Sequence, residues 1–172
     1  MLHGWDNFYI MAGTTAGSLI GLLFVAITLG GGTLSTPRGL SGTDAFLTPT
    51  LIRFSGVLFN CLAVLAPWPS AWPVGIILGL SGLAGLGYQI HVILARRKVK
   101  FVSPDYDWLD STLFSVAPAL ANVSLVAGAA GLIAEQSFAA YAIAGAITVL
   151  LFAGIYGAWD LTLYIARNRD KT

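Results

Sequence analysis

The chain has 172 residues, of which 56% are hydrophobic and only 10% charged, so its apolar runs continue too long without a charge to be helices of a water-soluble core. A formal net charge of +1, with the basic residues clustered between apolar runs, excludes a nucleic-acid-binding face. The single cysteine, Cys61, excludes an intrachain disulfide and a multi-cysteine metal site, and it reads as a small buried hydrophobe.

The first apolar run, Phe8 to Leu29, follows a start without Lys or Arg and shows no small-residue cleavage pattern, so it is expected to be a retained span and not a signal peptide. It carries Gly13, Gly17 and Gly21 at four-residue spacing. Glycines so spaced share one helical face and let a second helix approach backbone to backbone, whether from the same chain or from another copy. Thr14, Ser18 and Thr28 are expected to add hydrogen bonds between helices.

Four more runs follow: Phe46 to Ala66, Val74 to Ala95, Ser111 to Ile133, and Phe138 to about Ala166. Each is long enough for a bilayer core, which predicts an all-α bundle of five spans in one domain. Their connections are a Gly, Ser and Thr rich loop from Gly30 to Thr43, the proline-closed PWPSAWP turn at Pro67 to Pro73, a charged segment from Arg96 to Asp110, and a short turn at Glu135 to Ser137. None is long enough for a soluble domain, which needs about fifty residues.

Five crossings place Arg38, Arg53, the Arg96 to Lys100 cluster and the tail with Arg167, Arg169 and Lys171 on one side. By the positive-inside rule that side is cytoplasmic, with the N-terminus outside and the C-terminus inside. Trp5, Phe8, Tyr9, Trp68, Trp72, Phe138 and Tyr141 then form an outer aromatic belt, and Phe46, Phe101, Tyr106, Trp108, Trp159 and Tyr164 an inner one. An odd number of spans disfavours a simple inverted-repeat transporter.

Polar residues inside these runs are the candidate functional ones. The second span, expected to begin near Thr43 and Asp44 with Pro49 in its early turns, aligns Pro49, Arg53, Gly56 and Asn60 on one face. Arg53 and Asp160 each lie seven residues, roughly 10 Å, inside the same end of the second and fifth spans. An intramembrane ion pair between them is therefore expected, the alternative being that Arg53 reaches lipid phosphate. In the fourth span Pro118 removes the bond to the Phe114 carbonyl, and Asn122 follows one turn later; this marks either a solute path or an interhelical contact. The third span holds Gly75, Gly79 and Gly82 on one face with Gln89 in phase, and the fifth holds Gly145, Gly154 and Gly157.

Catalytic chemistry is not visible. His3 and His91 fall on opposite sides of the membrane, and Asp105, Asp107 and Asp110 sit beside the basic cluster that offsets them. No Ser, His and acid set converges at one depth, so no enzyme, cofactor or metal is expected. The opening Trp5, Asp6, Asn7, Phe8, Tyr9 with the Gly13 to Gly21 run, and the closing Gly157, Ala158, Trp159, Asp160, Leu161, resemble a group of small, uncharacterised bacterial inner-membrane proteins. That resemblance implies the location and no activity. The expected role is a packing or accessory subunit that contacts membrane lipids and associates with itself or with other membrane subunits through small-residue faces. The alternative is an ion or small-solute channel or carrier with Arg53, Asn60 and Asn122 near its path. A third reading is a binder of lipid or pigment near Trp68 and Trp72.

Overall fold

A computed structural model describes residues 4–29, 37–98 and 108–169, with side chains for 4–29, 47–92 and 116–163. Among the described residues there are five helices: α1 (Asp6–Leu29), α2 (Pro37–Leu65), α3 (Ala71–Lys98), α4 (Trp108–Ile133) and α5 (Ala139–Arg169). All five are long and apolar enough to cross a membrane, so the chain is a multi-pass helical membrane protein.

Four of the five helices begin earlier than apolar length alone indicates, because hydropathy marks the hydrocarbon slab while helical propensity continues beyond it. The clearest difference is α2, which starts at Pro37 inside the predicted flexible loop. Proline suits a first helical position, where its fixed φ is already helical and its missing N–H has no partner to lose. Pro49 is thereby internal to the helix and not in its early turns, and it leaves the carbonyl four residues back without its usual donor. Likewise α4 runs unbroken through Pro118.

The pairs α1–α2, α3–α4 and α4–α5 run antiparallel. The turn between α4 and α5 shows why so few residues suffice. Gln136 N–H donates to the Gly131 carbonyl at 2.8 Å and Glu135 N–H to the Leu132 carbonyl at 3.3 Å, the paired closure that satisfies the last carbonyls of a helix. Glu135 takes the left-handed conformation this requires, with φ 55°, and α5 starts at Ala139.

Helices α2, α5, α4 and α3 form a ring in which α2–α5, α5–α4 and α4–α3 pack extensively and α3 closes back on α2 only sparingly. Helix α1 lies outside this ring, against α2 and, less extensively, α5. One core cluster, with Tyr9, Cys61, Val74, Leu132 and Ala139, holds one end of the bundle. A smaller one, Leu23, Phe54 and Leu161, holds the other. Trp5 meets Phe8 and Tyr141 edge to face, with ring centroids 5.9 and 5.1 Å away, so residues expected in the outer belt also join the start of α1 to α5. Tyr9, assigned to that belt, is fully buried.

Glycine is used mostly within the chain. A Cβ at Gly75 would sit 2.5 Å from Ile133 Cγ1, and one at Gly82 would sit 2.7 Å from Val126 Cγ2, with Gly79 near Ala129. The predicted face of α3 is thus its seam with α4. On α1 only Gly13 is used this way, 3.1 Å from Cys61 Cβ, while Gly17 and Gly21 face open space. Gly145 on α5 is open too. Thr14 and Thr28, expected to bond between helices, donate instead to the Ile10 and Val25 carbonyls of α1 itself. A hydroxyl three or four residues beyond a carbonyl meets it without needing a neighbour.

Gly154 is where α5 admits the α2 ring of Phe54: an added Cβ would lie 2.5 Å from Phe54 Cε1 and 2.8 Å from Cδ1. Phe54 is fully buried and cannot swing away. Gly154→Ala is expected to cost about 1–3 kcal/mol by overpacking, and Phe54→Leu in the same chain to return part of that. Unfolding in mixed micelles measures both; an unchanged midpoint for Gly154→Ala would refute the contact.

Candidate functional site

Inside the ring lies a cavity of about 350 Å³ reached by all four helices, in the size range of small-molecule pockets. Helix α2 presents Arg53, Gly56 and Asn60, the face predicted from their spacing. Helix α3 brings Ser81, Gly85, Tyr88 and Gln89, α4 brings Pro118 and Asn122, and α5 closes the back with Leu150. The cavity exists because α2 and α3 barely touch while Gly56, with open space beside it, adds no side-chain volume to the wall.

Four polar side chains singled out in sequence, Arg53, Asn60, Gln89 and Asn122, therefore share one space, and all are buried. Their situations differ. Asn122 Nδ2 donates to the Pro118 carbonyl at 2.8 Å, and its amide packs directly on Gly85, where a Cβ would collide with it. It is held within α4 and fits against α3, serving packing and the cavity wall together. Gln89 and Tyr88 are engaged as well. Arg53 Nη1 points to the Ala153 carbonyl of α5 at 3.5 Å. A guanidinium has five donors in a planar fork, so one edge can engage α5 while the other faces the cavity.

Asn60 is the exception. It is 0% exposed, and neither Nδ2 nor Oδ1 has a hydrogen-bond partner in the fold. An orphaned amide in apolar surroundings is costly, about 1–3 kcal/mol by protein mutational data and more where nothing can hydrogen-bond. The fold thus keeps an unpartnered donor and acceptor, side by side, on a residue that lines the cavity.

The cavity lining contains one cation and, among the described residues, no Asp or Glu. Asp160 is half-buried on α5, seven residues or roughly 10 Å beyond Ala153. Seven residues also bring Asp160 back to the face of α5 that carries Ala153. Trp68 and Trp72 do not line this cavity; Trp68 Nε1 donates to the Ala63 carbonyl at 2.7 Å and caps the end of α2. Among the described residues no three His, Cys, Asp or Glu side chains gather. His3, Asp105 and Asp107 lie outside the described residues, as does the side chain of Asp110.

Ser81, Gly85 and Tyr88 were not singled out in sequence. Their spacing of four and three puts them on one helical face leading to Gln89, beside the glycine face that reads in sequence as packing alone. Comparison with protein-family models, with characterised proteins and with solved structures finds no match for this chain.

Proposed function

We propose that this chain is a solute-binding membrane protein, a carrier or channel whose path for a small uncharged polar molecule runs by Asn60, Asn122 and Arg53. The observation that carries this reading is the orphaned Asn60 amide at the cavity wall. Its complement is a molecule offering an acceptor and a donor side by side, as a primary amide does. Arg53 disfavours cations, and Asp160, as its ion-pair partner across the α2–α5 interface, offsets the charge that would otherwise trap anions. The setting we propose is a bacterial inner membrane, with the N-terminus outside and the basic clusters inside, on the strength of charge placement.

Purified protein in liposomes is expected to speed acetamide entry over protein-free vesicles, measured by stopped-flow light scattering, and to leave potassium entry unchanged. Equal acetamide rates with and without protein would refute the proposal. A second reading, the packing subunit, draws on Gly17 and Gly21, which meet nothing among the described residues. It predicts co-purification with a second copy or another membrane subunit, lost in Gly17→Leu, and no acetamide flux.

A further inference from the structure

The walls of the cavity are unequal. Its back, toward α4 and α5, is continuous, since α2–α5, α5–α4 and α4–α3 are all closely packed. Its front, between α2 and α3, is not. Ile52 and Phe59 line the cavity and yet are 40% and 51% exposed. They lie seven residues apart, two turns along one face of α2, so the opening runs along the helices. Across it, Ala84 of α3 is also both lining and exposed. These positions belong to stretches apolar enough to cross a membrane. An opening along their flank faces acyl chains, and a molecule using it must come from the bilayer.

Polarity is graded across the same opening. The rim is Ile52, Phe59 and Ala84, and the buried wall holds Asn60, Arg53 and Asn122. We infer that the cavity is loaded sideways, between α2 and α3, by a neutral single-chain amphiphile whose head offers a donor and an acceptor to Asn60 and whose chain leaves past Ile52 and Phe59. This rests on the Asn60 reading above and adds the class of ligand and its route. The chain gains little by exchanging lipid for the rim, since both are apolar. Its role is to concentrate the head group in the membrane beside the opening, and the hydrogen bonds to Asn60 supply the selectivity.

The test uses acetamide and dodecanamide, each carbonyl-labelled with carbon-13, titrated into the full chain in phosphatidylcholine nanodiscs and followed by NMR against protein-free discs. Dodecanamide occupancy is expected to fall about tenfold in Asn60→Leu, the equivalent of about one net hydrogen bond. It is expected to fall at least as far in Ala84→Trp, which narrows the opening on the rim opposite α2, while acetamide occupancy falls much less because acetamide has no chain to pass the rim. Ile52→Trp, on the opposite rim, repeats the test should Ala84→Trp not fold. Acetamide binding that depends on Asn60, with dodecanamide either unbound or indifferent to both rim variants, overturns the lateral route and leaves the solute site standing. If neither amide shows binding that depends on Asn60, the site itself is refuted.

Discussion

Asn60→Leu is expected to make the protein more stable and inactive in the same step. Leucine has the branched outline of asparagine, in a somewhat larger form, and no polar atoms, so the substitution removes a buried donor and acceptor that the fold leaves without partners and opens no cavity. Removing that penalty is worth about 1–3 kcal/mol, read as a higher unfolding midpoint in mixed micelles. Flux of a small amide is expected to fall to the protein-free rate, because the lost pair of atoms is the one that recognises it. The two readouts moving in opposite directions are the diagnostic, since binding sites hold groups that stability alone would discard. A structural asparagine predicts the reverse: lower stability and, at most, a proportional loss of activity. Asn122 supplies the internal comparison, being bonded to the Pro118 carbonyl and packed on Gly85. Asn122→Leu is expected to destabilise.

How much of this was legible in the chain follows from what each signal depends on. The five spans are set by composition over windows of about twenty residues, and each appears as a helix. Arg53, Gly56 and Asn60 could be placed on one face because three and four residues are helical spacing whatever the neighbours do. What that face looks at depends on which helices meet, and sequence spacing holds no such information. Gly75, Gly79 and Gly82 illustrate the limit. Their close-packing character was readable, whereas their partner, α4, was not. Thr14 and Thr28 show the opposite error, since a hydroxyl on a helix reaches its own backbone before a neighbour's. Asn60 and Asn122 look equivalent as letters; only the packing around them makes one satisfied and the other orphaned.

Neutralising either Arg53 or Asp160 is expected to cost about 3 kcal/mol or more, on the scale of a broken buried ion pair, and exchanging the two is expected to restore the fold without restoring activity. Helices α2 and α5 are antiparallel neighbours, with Phe54 on Gly154 and Arg53 reaching the Ala153 carbonyl. A helical side chain slants toward its own N-terminus. For Arg53 that is the end of the bundle where Leu161 joins Phe54 in one cluster, and Asp160 is the residue before it. Arg53 is only 7% exposed, so in the proposed pair loss of Asp160 strands a cation in low dielectric, and loss of the arginine leaves a half-buried carboxylate without the proposed counter-charge. Arg53→Asp with Asp160→Arg keeps the opposite charges across the same interface, and folded yield in detergent is expected to approach wild type while each single reversal remains poor. Flux is not expected to return, because the exchange puts a carboxylate into the cavity and moves the guanidinium out of it. An exchange no better folded than its single reversals would refute the pair, and one that also recovers amide flux would remove Arg53 from the path.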